Sequence, residues 1–153
     1  MKIADFLEAN TIISNLNSKT KQDVIRELAN TISSAHSNIN KEKLVEVLLE
    51  REKLCSTAVD LGVAVPHAKL SGITEIILGF GRSLKGIVFE SLDNKPTNFF
   101  ITIIAPEDTT GVHIQLLARI SKVFRNQDLR SRLMKCDSEE EIFQTITLED
   151  EKY

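Results

Sequence analysis

Phe99-Phe100-Ile101-Thr102-Ile103-Ile104-Ala105, closed by Pro106, carries the strongest strand signal in the chain. Aromatic and β-branched side chains fit a pleated, packed surface. Proline has no amide hydrogen to give to a ladder, so the run stops there. Apart from Thr102 the stretch shows no alternation of apolar and polar residues. A strand with one wet face alternates; a near-continuous apolar run belongs to a strand covered on both faces. Helices are the simplest cover on each side, which predicts a layered α/β domain.

The surrounding sequence supplies those layers. Upstream lie three shorter apolar runs: Ile87-Val88-Phe89, Ile76-Ile77-Leu78-Gly79-Phe80, and Val63-Ala64-Val65 between Gly62 and Pro66. Before them, helical periodicity takes over. Val24, Ile25, Leu28 and Ile32 fall on one face of a helix over 20–34, started by Thr20 and Asp23. Leu44, Val45, Leu48 and Leu49 form the stripe of a second helix over 41–53, with Glu42, Lys43, Glu46 and Glu50 facing away. Downstream, a loop at 106–111 precedes a helix from His113 to Phe124, buried through Leu116, Leu117, Ile120, Val123 and Phe124. A short helix follows over 127–135, and Ser138-x-x-Glu141 is a capping box opening the last one. The order reads helices, then strands, then helices. It predicts one compact domain over 1–146, a mixed sheet flanked by helices on both faces, with 147–153 as a short acidic tail.

Bulk properties narrow the function. The 153 residues suit a single domain able to bury a core without disulfides or a structural metal. A net charge of −3 gives no strong pull toward nucleic acid or anionic lipid. The two cysteines, Cys55 and Cys136, are too few and too scattered for a disulfide framework and fit a reducing compartment. Acidic residues enter at Asp5 and Glu8, which leaves no signal-peptide apolar core. No stretch has the length and apolarity of a membrane span. These features predict a cytoplasmic protein with no nucleic-acid partner and no membrane insertion. Gly79-Phe80-Gly81 lacks the third glycine of a dinucleotide fingerprint. There is no Walker-type loop, no zinc-ligand spacing and no Gly-x-Ser-x-Gly elbow, so neither metal nor cofactor is expected.

Three histidines remain, and two of them carry a functional reading beside a bland one. His36, in a polar stretch past a helix end, reads as a solvated or C-cap residue. His67 follows a short buried run and Pro66, which fixes its own φ and holds Val65 extended. It is either structural or launched from a rigid strand end, where open α/β sheets present ligands. His113 opens a helix: it either packs on Leu117 or sits where the helix N-terminus favours an anion. Arg51 is either a helix-end cation offsetting the dipole or a phosphate contact. Ser56 and Thr57 follow in a polar loop, where their hydroxyls can cap or reach a phosphate.

In their order along the chain these residues form a pattern. Leu49-Glu50-Arg51-Glu52-Lys53-Leu54-Cys55-Ser56-Thr57, Gly62-Val63-Ala64-Val65-Pro66-His67-Ala68-Lys69-Leu70, Ile103-Ile104-Ala105-Pro106 and His113-Ile114-Gln115-Leu116-Leu117 are quoted in sequence order. Together they resemble the IIA domains of the bacterial phosphoenolpyruvate-dependent sugar phosphotransferase system, of the fructose–mannitol class that includes the nitrogen-regulatory IIA proteins. The stretch Ile87 to Pro96 is similar to the family's hairpin region, and the likeness runs nearly the whole chain. Cys55 departs from the pattern, standing where the family often has glycine.

The resemblance implies a compact α/β fold and a phosphotransferase role. It implies that His67 accepts phosphate from the phosphocarrier HPr, that His113 sits beside that phosphate, and that Arg51 completes the site, with Ser56 and Thr57 in the matching loop. Imidazole suits such a nucleophile because its neutral form exists at physiological pH. Phosphoryl transfer asks the protein mainly for positioning and charge stabilisation. Two roles are open: a regulatory IIA whose phosphorylation state controls partner proteins, or a sugar-transport component passing phosphate to a IIB domain. A chain reading as a lone domain tilts the expectation toward regulation.

Overall fold

The computed structural model describes Met1–Tyr153. The long apolar run becomes strand β5, at the centre of the sheet. In chain order the strands are β1 (Leu7–Ile13), β2 (Val63–Ala64), β3 (His67–Leu70), β4 (Ile77–Ile87) and β5 (Thr97–Pro106). The helices are α1 (Lys21–Ala35), α2 (Lys41–Leu54), α3 (Val112–Phe124), α4 (Gln127–Met134) and α5 (Glu139–Asp150). The sheet runs β1-β4-β5-β2, with β3 also paired to β5. β4 and β5 are antiparallel, and the remaining pairs are parallel, so the sheet is mixed as expected.

β5 is covered on both sides. Phe99, Ile101, Ile103 and Ala105 join a cluster with Leu116, Ile120 and Phe124 of α3, Leu129 and Leu133 of α4, and Ile142 and Ile146 of α5. Phe100 and Ile104 enter a second cluster with Val24, Leu28 and Ile32 of α1 and Leu44 and Leu48 of α2. Successive strand residues point to opposite faces, so one apolar run feeds two cores. Burying one such Phe or Ile contributes about 1.5–3 kcal/mol.

The order of elements needs one correction. A strand, β1, precedes the first helix, so the chain does not begin with helices. Its apolar residues are interrupted by Glu8 and Asn10, which face solvent because β1 is an edge strand. A second difference lies in β4. The runs 76–80 and 87–89 do not make two strands: Ile77 to Ile87 is one strand, and Val88 and Phe89 lie beyond its end. The intervening glycines hide it from propensity but serve packing. A Cβ on Gly79 would come 2.9 Å from Ile32 Cδ1, and one on Gly81 3.0 Å from Leu28 Cδ2, so α1 lies directly on the strand. Arg82 is buried in that strand and donates to the carbonyls of Ser14, Leu133 and Cys136 at 2.8, 2.8 and 2.7 Å.

Helix starts follow the sequence closely. The side chains of Thr20, Asn40, Asn126 and Ser138 each accept from the backbone N–H three residues on. In the box of α5, Glu141 accepts from the N–H of Asp137 at 3.1 Å. The residues expected as an acidic tail are in large part the end of that helix. α5 continues to Asp150, and Glu149 and Asp150 are buried, held by Arg119, Arg132 and the Ile3 N–H.

Candidate functional site

The sheet ends at β2 and β3, and there the two helical layers meet. Pro66 has no N–H, so it interrupts what would otherwise be one edge strand, splitting it into β2 and β3. Its carbonyl still accepts from Ile103 N at 3.0 Å. His67 therefore opens β3, in register with Ile103, rather than hanging past a strand end. α2 packs against β3 from one layer, and α3 begins beside it from the other. A cavity of about 560 Å³ opens between them, lined by Arg51 and Glu50 of α2, His67 and Lys69 of β3, and His113 and Leu117 of α3.

The His67 ring is fixed by one bond: Nδ1 lies 2.8 Å from the Val65 carbonyl. A carbonyl only accepts, so Nδ1 carries the proton and the lone pair of the neutral ring sits on Nε2. Burial lowers the pKa of His67 below its ordinary 6.5. The bond to Val65 and the charge of Glu52 raise it, the charges of Arg51 and His113 lower it, and the balance stays down. The imidazole is thus neutral, with a defined tautomer, at neutral pH.

His113 is the second residue of α3, after Gly111, whose φ of 88° makes it the left-handed N-cap. The first N–H groups of a helix have no intrahelical acceptor and favour an anion. His113 Nδ1 is buried with no hydrogen-bond partner. An orphaned buried ring nitrogen costs free energy unless a ligand meets it. Arg51 ends α2 beside them. Its Nη1 donates to the Cys55 carbonyl at 2.8 Å, holding the end of α2, and the side chain lines the cavity.

The structure brings His67, His113 and Arg51 together and directs Ser56 and Thr57 elsewhere. Ser56 Oγ donates to the Phe89 carbonyl at 2.7 Å and accepts from Ala58 N at 3.1 Å. Thr57 donates its N–H and its hydroxyl to the two oxygens of Glu52. Neither residue lines the cavity. His36 is the C-cap of α1, its N–H bonded to Ile32 O. Lys69 was not singled out by sequence reading. Strand alternation held the signal, since a residue two beyond His67 shares its face. Its Nζ donates to Thr109 O at 3.3 Å, in the loop before α3.

Fold and site together define a class. The description "Phosphoenolpyruvate-dependent sugar phosphotransferase system, EIIA 2" belongs to the family whose model matches residues 5–148, and the chain is a member of that family. It is 34% identical over 148 residues to a nitrogen regulatory protein of Bradyrhizobium diazoefficiens, covering 97% of this chain and 96% of that one. It is 33% identical over 150 residues to the fructose-specific EIIABC component of Bacillus subtilis, of which it spans only 24%. The crystal structure of nitrogen regulatory protein IIA-Ntr from Neisseria meningitidis superposes with a TM-score of 0.88 at 28% identity, covering 95% of this chain and 99% of that chain. The same fold occurs, at 21% identity and a TM-score of 0.74, in Escherichia coli enzyme IIAMtl, solved in complex with phosphorylated enzyme IIBMtl; the match covers 92% of this chain and 98% of that chain.

Proposed function

We propose that this protein is a phosphoryl carrier of the nitrogen-regulatory IIA type, accepting phosphate from phospho-HPr on His67 and controlling partner proteins by its phosphorylation state. The observation that carries this reading is the pairing of a fixed His67 tautomer with an unpartnered His113 nitrogen in one cavity. The lone pair of His67 Nε2 attacks phosphorus, and the bond to the donor's nitrogen breaks with its electron pair returning to the donor. His67 keeps its Nδ1 proton on Val65 throughout. His113, the start of α3 and Arg51 offer donors and positive charge to the phosphoryl oxygens. Ser56 and Thr57 hold the loop that frames the site. The dianionic product then changes the charge of the cavity mouth without large motion, enough to alter partner choice.

The test supplies phosphoenolpyruvate, enzyme I and HPr and follows labelling of the protein. Wild type is expected to label and His67→Ala is not. Equal labelling of both, or of neither, overturns the reading. A second reading, transfer from His67 to a fructose- or mannitol-type IIB domain, is favoured by the identity to the fructose-specific relative. It is decided by offering the phosphorylated protein such a IIB domain and measuring transfer.

A further inference from the structure

Glu52 is a buried acid outside the cavity, only 7% exposed, at the end of α2 next to Arg51. Burying a carboxylate is costly unless it is paired and hydrogen-bonded. Glu52 is both. Its Oε1 lies 3.1 Å from Lys21 Nζ at the start of α1. Lys21 is itself confined, 4.8 Å above the Phe89 ring and 3.6 Å from Glu90. Both carboxylate oxygens accept from Thr57, one from its N–H at 3.0 Å and the other from its hydroxyl.

From Thr57 a chain of bonds leads to the reactive ring. The Thr57 carbonyl accepts from Val65 N at 3.0 Å. The Val65 carbonyl accepts from His67 Nδ1 at 2.8 Å. Ala58 also bridges to Ala64, so the loop after α2 is stitched along β2. Val65, whose carbonyl fixes the His67 tautomer, is therefore held through its own N–H from outside the cavity, by a loop anchored on a carboxylate that never enters it.

Resting on the carrier reading, we propose that Glu52 is a positioning residue for His67, acting through Thr57 and Val65 to keep the proton on Nδ1 and the lone pair on Nε2. The same carboxylate opposes the charges that face His67: Arg51 from α2, His113 from α3 and Lys69 from β3, while Glu50 lines the cavity from α2. Without the clamp the Val65 carbonyl drifts, Nδ1–H loses its acceptor, and the ring divides between its two tautomers. Only one of these exposes a nucleophilic Nε2.

The experiment is ring-nitrogen NMR of His67 in ¹⁵N-histidine protein, run beside labelling from phospho-HPr at matched folded fraction. Wild type is expected to show a protonated Nδ1 and a bare Nε2. Glu52→Gln retains an acceptor for Thr57 but loses the charge, so the tautomer persists and the His67 titration midpoint falls. Glu52→Ala loses both: the tautomers mix, and labelling slows on the order of tenfold or more through misplacement. Wild-type tautomer in a folded Glu52→Ala protein overturns the proposal. If Glu52→Ala does not fold, Thr57→Val, which removes the hydroxyl that Glu52 holds, decides, and a wild-type His67 tautomer there overturns the proposal. Tautomer mixing in Glu52→Ala, with no labelling even of wild type, supports the positioning role while sinking the carrier reading, so the two fail separately.

Discussion

Two clusters of charge, both drawing on α3, are built on opposite principles. Further along α3, Arg119 Nε meets Asp150 Oδ1 at 2.6 Å, and Asp150 Oδ2 accepts from Ile3 N at 2.7 Å. Next to them Glu149 takes Arg132 at 2.8 Å, Asn126 at 3.1 Å, Tyr153 at 3.2 Å and Lys152 at 3.3 Å. Every carboxylate there is satisfied, and the result ties the first residues of the chain to the last helix. At the near end, Arg51, Lys69 and His113 share a cavity, and none of them forms an ion pair. Charges satisfied within the chain hold the fold. At the cavity, Arg51 and Lys69 reach only the Cys55 and Thr109 carbonyls and His113 Nδ1 reaches nothing, so none of the three is paired with a carboxylate.

The contrast predicts that chemistry and stability separate by cluster. The largest effect is expected for His67→Ala: labelling from phospho-HPr is lost entirely, while the unfolding free energy from urea titration changes by roughly 1 kcal/mol or less. Asp150→Ala should do the reverse. It leaves Arg119 and the Ile3 amide without their buried partner and destabilises by about 3–5 kcal/mol in urea titrations. Its labelling rate, corrected for the folded fraction, should match wild type, and a true loss of labelling would break the distinction. His113→Ala is expected to slow labelling by about 10²–10³-fold without abolishing it, as removal of one transition-state donor does. Failure of that variant to fold would instead make His113 a core residue.

Two pH effects are smaller and opposite in origin. Burial pushes the Glu149 carboxyl up, but Lys152, Tyr153 and Arg132 pull harder and hold it below its ordinary 4.5. Its contribution to stability is therefore complete above about pH 4.5 and is lost as pH falls through the depressed native value. Glu149→Gln should flatten the acid limb of stability measured against pH. His67, lowered mainly by burial, should titrate by NMR with a midpoint below 6.5. The unfolded chain binds that proton more readily, so His67 subtracts stability as pH drops below 6.5, and His67→Ala should remove the loss. A midpoint at or above 6.5 would mean that the Val65 bond and Glu52 outweigh burial.

The parts of the fold readable from sequence were those with dense local signals. β5 announced itself through an unbroken apolar run, and the helix starts through capping side chains whose bonds span three residues. β1 escaped because it is an edge strand whose apolar residues are split by the solvent-facing Glu8 and Asn10. β4 escaped because its glycines, poor strand formers, exist for the close approach of α1, a contact some fifty residues away in the chain. The acidic end looked like a tail because the partners of Glu149 and Asp150, Arg119, Arg132 and the Ile3 amide, are remote in sequence. At the site, Pro66-His67 and the ordered pattern through Arg51 and His113 stood out. Lys69 and Glu52 did not, because one needed the strand register and the other a hydrogen-bond route.

The sequence by itself determined the secondary elements with local periodicity and the family pattern, and it singled out His67 as the expected acceptor, because each reading rests on short stretches of neighbouring residues. The tertiary structure alone decided which carboxylates are buried, that Arg51 and His113 meet at the edge of the sheet, and which nitrogen of His67 carries the proton. Those outcomes depend on distances between groups up to 147 residues apart, from the Ile3 amide to Asp150. No local propensity encodes such distances, because they are set by how two helical layers close over one sheet.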